Sequence, residues 1–380
     1  MFFMRDIEGI KDLDGKLTEI FKWFHQHPEL SYEEYETTEK IREILKAEGI
    51  EILSCGLKTG LAAIIRGEKE GHVKALRCDI DALPIQEESG LSYASLYPGK
   101  MHACGHDFHI TAGIGCAILL NERKKELAGT VKVIFQPAEE TSLGALKVLE
   151  TDVMEDVWQI WGIHADPTNE VGTVGIREGA VTAAVDRFVV TVKGIGCHGA
   201  HPDDGRDPIP AAAAMVQAFQ TIVTRNVNAF HPALLSVTRM QAGNTWNVIP
   251  EIAELEGTVR TMDRDDRLLF KQRIKEIAEQ IALGYGMTAE VRWIAGSPAT
   301  VNDAGMVKVC QEKALEMGFQ VVPEEHSLGG DDFSFLEENI PGCYIKIGTG
   351  KGQTIHQPGF RVDVKAIMMT AEYMARLMGA

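Results

Sequence analysis

Thiol and imidazole side chains flank a glycine in the segment MHACGHDFH, residues 101–109. Cys104 and His106 are two residues apart, and Gly105 between them allows a turn that directs both side chains to one ion. Thiolate and imidazole are ligands that Zn²⁺ and related metals prefer. A buried cysteine beside surface histidines would give the same short motif, so a metal site requires further ligands elsewhere in the chain.

Further candidate ligands follow four other apolar segments that have the character of buried strands. Glu139 and Glu140 come directly after a segment that Pro137 ends. Adjacent side chains there point in different directions, so one carboxylate can bind a metal while the other addresses water. In an open α/β sheet, sites form outside the carboxyl ends of the strands, and the sequence predicts a metal site there. The remaining candidates at this edge are Asp79, Asp81, His164 and His356.

The order of the predicted elements indicates two domains. Strands alternate with helices in residues 1–180 and again in 295–380, which favours an α/β fold with a mixed, mainly parallel sheet and flanking helices. The intervening residues 181–294 have the order β-α-β-β-α-β, the split βαβ arrangement of ferredoxin-like domains. We therefore predict a catalytic metal-binding domain in two segments and an inserted lid or dimerisation domain. The clearest helix patterns cover 35–47, 208–225 and 264–285.

Composition excludes several classes of protein. The 380 residues carry 38 basic and 55 acidic side chains, a formal net charge of −17. Such a chain repels phosphate backbones, so we expect no nucleic-acid partner. No apolar run approaches the ~18 residues that span a membrane, and acids occupy the N-terminus where a signal peptide would be apolar. Seven scattered cysteines do not suggest a disulfide framework, so we expect a cytoplasmic protein.

Taken together, the motifs resemble the metal-dependent aminoacylase/carboxypeptidase family, in the branch of hippurate hydrolases, auxin-conjugate amidohydrolases and N-acetyldiaminopimelate deacetylases. The resemblance covers nearly the whole chain, and it is highly specific for the family but weakly specific for the substrate. The motifs, in chain order, are RCDIDALPIQE, MHACGHDFHIT, FQPAEE, GIHADP, GCHGAHPDDGRDPI, NVIPE, GTVRT, GGDDFSF and IHQPGF.

The resemblance implies an amide hydrolase with two divalent metal ions, Zn²⁺ by preference and Mn²⁺, Co²⁺ or Ni²⁺ as alternatives. Cys104 would bridge the metals. Glu139 would be the general base that takes a proton from the bridging water, and Asp81 would orient a ligand. Paired cations acidify water and polarise a scissile carbonyl, which agrees with this chemistry. The other implied ligands are His106, Glu140, His164 and His356.

The resemblance also implies that the inserted domain contributes to the site. His198 matches a histidine that reaches the active site across a dimer interface, so we expect a homodimer. Asn247 and Arg260 match positions near the substrate. The guanidinium of Arg260 is well shaped to bind a substrate carboxylate, and a surface salt bridge is the other interpretation of this arginine.

Three residues depart from the pattern of the family or its branches, and their roles stay open. Asp79 stands where other branches carry a ligand histidine, Asp331 where glutamate is common, and Cys197 where glycine is usual. Several isolated histidines are interpreted as surface or loop residues rather than ligands. These are His25, His27, His72, His231 and His326.

Three other functions compete with an amide hydrolase. Gly194, Gly196 and Gly199 fit the Gly-x-Gly-x-x-Gly pattern of dehydrogenases, but the segment AHPDDGRDP follows them directly where a helix would be needed. A thiol hydrolase would use Cys104 as its nucleophile, and a binding protein would have kept the fold without a base. We expect hydrolysis of N-acyl-L-amino acids of the acetyl or benzoyl type. N-acetyl-L,L-diaminopimelate deacetylation is the alternative, and a dipeptidase or carboxypeptidase ranks below it.

Overall fold

The computed structural model describes residues 7–379, which form two compact units. The first unit contains the residues up to Gly179, Val301–Glu325 and those from Asp332 on. The second contains Ala180–Thr300 and His326–Asp331. The expectation that no signal peptide is present rests partly on residues 1–6, which lie outside the described residues.

The loop 326–331 belongs to the second unit because backbone hydrogen bonds hold it there. Ser327 N donates to Val181 O at 3.0 Å, and Ala183 N donates to Gly329 O at 2.9 Å. The sequence pattern assigns this loop, and residues 295–300, to the catalytic domain. Hydrogen bonds between segments so far apart in the chain leave no trace in local periodicity.

Helices predicted over 35–47 and 208–225 have these bounds in the structure. None of the described helices is both long enough and apolar enough to cross a membrane. The helices are α1 (Ile7–Gln26), α2 (Tyr35–Ala47), α3 (His106–Glu122), α4 (Gly144–Leu149), α5 (Pro208–Arg225), α6 (Arg264–Gly284), α7 (Ala304–Glu316), α8 (Phe333–Leu336) and α9 (Lys365–Met378). The strands are β1 (Glu51–Leu53), β2 (Leu61–Arg66), β3 (Lys69–Asp79), β4 (Ala128–Gln136), β5 (Val157–Asp166), β6 (Thr173–Ile176), β7 (Gly179–Thr182), β8 (Ala184–Lys193), β9 (Cys197–His198), β10 (Ala233–Ala242), β11 (Val248–Ile249), β12 (Ile252–Thr261), β13 (Thr288–Ala295), β14 (Thr300–Asn302), β15 (Gln320–Pro323) and β16 (Gly342–Gly348).

An eight-stranded mixed sheet forms the centre of the first unit, with the order β1-β2-β4-β3-β5-β16-β6-β15. The adjacent strands β4, β3, β5 and β16 run parallel to one another. Strands β4, β5 and β16 are buried along most of their length, and β3 is buried over its last five residues, so these stretches are largely apolar in sequence. The predicted mainly parallel α/β fold is confirmed, and the carboxyl ends of four adjacent strands meet at one edge of the sheet.

Close packing of α3 fixes the position of the loop that precedes it. A Cβ atom at Gly115 would lie 2.7 Å from Ala371 Cβ and 2.8 Å from Leu17 Cδ1, which is too close for any side chain. Glycine at this position therefore lets α3 approach α9 and α1. Since α3 begins at His106, helix packing also fixes the candidate ligand at its start.

The second unit is built around a four-stranded antiparallel sheet with the order β10-β12-β8-β13. Helices α5 and α6 pack against it around a core that includes Phe188, Phe219 and Phe270. Asp207 and Asp263 are the N-caps of the two helices, because their side chains accept backbone N–H groups of the first turn. The chain order β8-α5-β10-β12-α6-β13 gives the predicted ferredoxin-like arrangement.

Candidate metal centre

Candidate ligands from a loop and a strand meet at the carboxyl edge of the central sheet. Cys104 and His106 lie at the start of α3, and His164 lies near the end of β5. One ligand atom from each residue lies within 4.8 Å of the other two, and Cys104 Sγ is 3.4 Å from His164 Nε2. All three side chains are buried. The structure thus brings together three of the predicted metal ligands.

The acidic pair and His356 extend this cluster. Glu139 and Glu140 belong to a 3₁₀ turn, Glu139–Thr141, that follows β4, and His356 lies in the loop after β16. Glu140 Oε1 is 3.4 Å from His356 Nε2 and 4.0 Å from His106 Nε2. Glu139 has a carboxylate oxygen within 4.8 Å of ligand atoms of His106 and Glu140. The five predicted ligands and the predicted base therefore lie in one cluster.

Two backbone positions with positive φ shape the ligand loops. Gly105 has a φ of 89°, and a Cβ atom there would lie 2.7 Å from Ala165 Cβ, so only glycine fits. His356 has a φ of 63°, which is uncommon for a non-glycine residue. Its backbone N–H donates to Ala103 O at 2.7 Å, and this hydrogen bond ties the loop of His356 to the loop 101–106.

Asp81 connects His106 to the acidic pair. Its carboxylate accepts the backbone N–H groups of Glu139 at 3.1 Å and Glu140 at 3.0 Å, and the Ser31 hydroxyl at 2.6 Å. His106 Nδ1 lies 3.2 Å from Asp81 Oδ1 and 2.9 Å from the Asp81 carbonyl oxygen. Both oxygens accept, so Nδ1 carries the proton and Nε2 presents a lone pair. Burial opposes ionisation, but the hydrogen bonds from His106 and Ser31 hold the pKa of Asp81 below its usual value.

The donor atoms of this cluster fit a metal ion. Among the described residues, His106 Nε2 and Glu140 Oε1 are buried without a hydrogen-bond partner, which is unfavourable unless a cation is bound. Thiolate, imidazole and carboxylate together suit Zn²⁺ and neighbouring transition metals. Burial raises the pKa of the Cys104 thiol well above its usual value, so a cation must help to form the thiolate. The same burial argues against Cys104 as an unassisted nucleophile.

Asp79 belongs to a buried polar network beside the ligands. It accepts from Arg77 Nη1 at 2.5 Å and lies 2.5 Å from His109 Nδ1. His109 Nε2 accepts a backbone N–H at 2.8 Å, so its proton is on Nδ1 and neither ring nitrogen is open to a metal. Asp79 Oδ2 is 3.6 Å from His106 Nε2. An arginine within an apolar strand is the signal that could have indicated this network, because a buried charge requires partners.

His25 corrects the interpretation of the isolated histidines as surface or loop residues. It is 2% exposed, and its Nδ1 lies 2.7 Å from Asp107 while its Nε2 lies 3.1 Å from Glu87. Burial opposes protonation, but the two carboxylates outweigh it and raise the pKa of His25 to about 9. Its partners are 82 and 62 residues away in the chain, so no local pattern indicated them.

The functional residues predicted in the second unit lie at exposed or half-buried positions. His198 in β9 pairs with Val248 of β11, and Gly199 N donates to Asn247 O at 2.8 Å, so the backbones of His198 and Asn247 are adjacent. Arg260 in β12 is half-buried. It forms no salt bridge with any residue that the structure describes.

Comparison with known proteins places the chain in a family. The model of peptidase family M20/M25/M40 matches residues 75–380. The chain belongs to this family. It is 46% identical over 368 residues to N-acetylcysteine deacetylase of Bacillus subtilis (strain 168), covering 97% of both chains. It is 44% identical over 366 residues to N-acetyl-L-cysteine deacetylase of the same organism, covering 96% of this chain and 88% of the relative. The crystal structure of the Bacillus subtilis YXEP protein, a dinuclear metal-binding peptidase from the M20 family, matches with a TM-score of 0.89 and 44% identity, covering 97% of this chain and 98% of that one.

As a member of peptidase family M20, the chain is a hydrolase. The structure also argues against a dehydrogenase. A 3₁₀ turn at Pro202–Asp204 follows Gly199, where a dinucleotide site would need the start of a helix. A Cβ atom at Gly194 would lie 2.2 Å from Arg206 O, so close backbone packing accounts for this glycine.

Proposed function

We propose that this M20 hydrolase cleaves the amide bond of N-acyl-L-amino acids and releases a carboxylate and a free amino acid. The observation that carries the proposal is the buried cluster in which His106 Nε2 and Glu140 Oε1 lack a hydrogen-bond partner among the described residues, with the Glu139 carboxylate beside them. The names of the two Bacillus subtilis deacetylases support an acetyl rather than a benzoyl group.

Five side chains of the cluster would hold two divalent cations, with Zn²⁺ as first choice and Mn²⁺, Co²⁺ or Ni²⁺ as alternatives. Bound cations supply Lewis acidity, which polarises a carbonyl and lowers the pKa of water. Cys104 is proposed as the shared ligand because its sulfur belongs to two groups of potential ligands. One group adds His106 and His164, and the other adds Glu140 and His356.

Glu139 is proposed as the general base. It is buried, its backbone N–H is held by Asp81, and its carboxylate lies near ligand atoms of His106 and Glu140. A carboxylate in this position can take a proton from the attacking water and deliver it to the leaving amine. Asp81 acts through its neighbours, because it orients the His106 ring and the turn that carries the acidic pair.

We further propose that His198 donates a hydrogen bond to the developing oxyanion in the site of a partner subunit. Its Nδ1 accepts the Ala200 N–H at 3.0 Å, so the neutral ring carries its proton on Nε2, the tautomer that can donate. Ile195, Val248 and Trp246, which is 94% exposed, are exposed apolar side chains in the same segments, so these segments present apolar surface to solvent. Such a surface supports a homodimer with two equal composite sites.

Arg260 and Asn247 are proposed to bind the substrate. The guanidinium of Arg260 is half-buried and forms no salt bridge with any described residue. It is therefore available to bind the carboxylate that every N-acyl amino acid carries. N-acetyl-L-cysteine is the first substrate to test, because the names of the two Bacillus subtilis relatives describe them as deacetylases of N-acetylcysteine. N-acetyl-L,L-diaminopimelate is the alternative, and a dipeptide ranks below it.

A hydrolysis panel tests this function. Protein loaded separately with Zn²⁺, Mn²⁺, Co²⁺ or Ni²⁺ receives N-acetyl-L-cysteine, N-acetyl-L-methionine, hippurate, N-acetyl-L,L-diaminopimelate or a dipeptide, and the released amine is measured. We expect the N-acetyl amino acids to be hydrolysed fastest and a chelator to stop turnover. Exclusive hydrolysis of the dipeptide, or full activity after metal removal, would contradict the proposal. Glu139→Gln, purified and loaded in the same way, controls for contaminating hydrolases.

A further inference from the structure

The segment 31–34, which none of the family motifs includes, reaches the turn that carries the acidic pair. Ser31 Oγ donates to Asp81 Oδ2 at 2.6 Å. Glu34 is fully buried, and its Oε1 accepts the backbone N–H of Ala138 at 2.8 Å. Ala138 immediately precedes Glu139, so Glu34 contacts the backbone next to the proposed base although 104 residues separate it from Ala138.

Three consecutive N–H groups of this turn donate to buried carboxylates. Ala138 N donates to Glu34 at 2.8 Å. Glu139 N and Glu140 N donate to the two oxygens of Asp81, at 3.1 and 3.0 Å. Asp81 therefore fixes the backbone of the two acids, and Glu34 fixes the residue that joins them to β4.

The backbone at both ends of the turn requires such restraint. Ala138 has a φ of 55° and Ser142 a φ of 58°, a left-handed conformation that residues other than glycine keep only where their surroundings impose it. The Ala138 peptide sets the direction in which the chain leaves β4, and hence the directions of Glu139 and Glu140. If Glu34 presented no acceptor oxygen, the buried N–H of Ala138 would be left without a hydrogen bond. The turn would then shift until this N–H found another acceptor.

We propose that Glu34 is a positioning residue that holds the Ala138 peptide so that Glu139 and Glu140 keep their separate directions. The consequence for catalysis rests on the proposed function, because it assigns the base to Glu139 and a ligand to Glu140. The placement of Glu140 is also measurable without a substrate, through the metal that the protein binds.

The required property of Glu34 is an oxygen acceptor at the right reach, not a charge. Burial, with a further contribution from the charge of Asp81, raises the pKa of Glu34 to about 7. Near neutral pH both the neutral acid and the carboxylate therefore occur, and each presents an oxygen to Ala138. Glutamine keeps this oxygen at the same distance. Aspartate keeps the charge but is one methylene too short, and methionine keeps the length but has no acceptor oxygen.

The experiment compares Glu34→Gln, Glu34→Asp and Glu34→Met with a matched control. Glu29 lies in the same region, and its carboxylate accepts the backbone N–H groups of Glu36 at 3.2 Å and Thr37 at 2.8 Å at the start of α2. Glu29→Met thus removes a hydrogen-bond acceptor at a helix start without touching the turn at 138–140. For every variant we would measure bound Co²⁺ equivalents, the visible absorption spectrum of the Co²⁺ protein, Tm, and kcat and KM on the best substrate of the panel.

We expect Glu34→Met and Glu34→Asp to change the Co²⁺ spectrum and to lower kcat at least about tenfold, with a smaller change in KM, because small misplacements of reacting groups slow the reaction strongly. Glu34→Gln should keep the wild-type spectrum and kcat within about threefold. Glu29→Met should lower Tm but leave the spectrum and kcat unchanged.

Three results would overturn the proposal: an unchanged spectrum and kcat in Glu34→Met, impairment of Glu34→Gln as deep as that of Glu34→Asp, or the same losses in Glu29→Met. If Glu34→Met does not fold, the comparison of glutamine with aspartate still decides, since a requirement for charge would reverse their order. If the wild-type protein hydrolyses no N-acyl amino acid, the proposed function fails, and the Co²⁺ spectra alone decide the role of Glu34.

Discussion

The candidate metal cluster of the first unit and the segment around His198 in the second unit hold their proposed functional side chains in opposite ways. In the cluster, His106 and Glu139 are buried, Glu140 is partly buried, and Asp81 holds all three through hydrogen bonds. His198 is exposed, and its ring accepts a single backbone N–H from the next turn of its own loop. All side chains of the first arrangement belong to one unit. The second presents a hydrogen-bond donor to solvent, which is useful only when another molecule covers it.

The strongest test of this contrast separates the base from the ligand within the cluster. Glu139→Gln keeps the shape of the side chain but loses proton acceptance, so we expect kcat to fall by roughly 10²–10⁴-fold while both metal equivalents stay bound. Glu140→Gln should instead lose metal. Metal analysis and kcat of both variants check this, and the reverse pair of phenotypes would show that the two assignments are exchanged.

A mixing experiment tests whether the exposed histidine acts in a partner subunit. We expect His198→Ala and Glu139→Gln each to be nearly inactive, with His198→Ala reduced by about 10²–10³-fold as for loss of an oxyanion donor. Co-refolding the two variants should restore about a quarter of wild-type activity, because half of the dimers are mixed and one of their two sites is intact.

The control for this mixing experiment is mass spectrometry of the refolded sample. Confirmed heterodimers without recovered activity would show that His198 acts within its own subunit or only stabilises its loop. In that case His198, like the residues of the metal cluster, would not act in a partner subunit.

Arg260 extends the comparison to substrate binding by the second unit. Arg260→Met should raise KM for an N-acyl amino acid by roughly 10–100-fold with a smaller change in kcat, as expected for loss of a charged hydrogen bond to a carboxylate. Arg239 in the neighbouring strand pairs with Glu254 at 2.9 Å, so Arg239→Met is a matched control that should leave KM unchanged. Equal KM values for wild type and Arg260→Met would remove Arg260 from the substrate site.

The smallest effect is expected for stability. It is tested by comparing His25, a buried histidine of the first unit, with His231, an exposed histidine of the second. Burial opposes the charge of His25, but Asp107 and Glu87 raise its pKa to about 9, above the unfolded value near 6.5. Protonated His25 should therefore stabilise the fold by on the order of 1–3 kcal/mol below about pH 6.5, and this contribution should disappear as the pH rises through about 9. The Tm difference between wild type and His25→Gln, measured from pH 6 to 9.5, should narrow accordingly.

His231 provides the control for this pH dependence. It lies 2.7 Å from Asp266, but its side chain is 38% exposed, so His231→Gln should change stability by well under about 1 kcal/mol. A gap between wild type and His25→Gln that widened toward pH 9.5 would show that His25 is neutral in the folded protein.

Much of the fold could be predicted because its signals are local. Apolar runs indicated the central strands, and Pro208 and Arg225 bound α5 as predicted. The order of strands and helices predicted the mainly parallel sheet, and the resemblance indicated the family. The sequence pattern places the loop 326–331 in the wrong unit because its partners, Val181 and Ala183, are far away in the chain.

The sequence by itself determined where the central strands end and which polar residues follow them, because an apolar run followed by polar residues is a local pattern. That pattern is enough to make Glu140 and His164 candidate ligands, and the short motif Cys104-Gly105-His106 adds two more. Only the tertiary structure decided how these side chains are held. The contacts of Asp81 with the acidic pair and of Glu34 with Ala138 span 58, 59 and 104 residues, and hydrogen bonds over such separations exist only once the chain has folded.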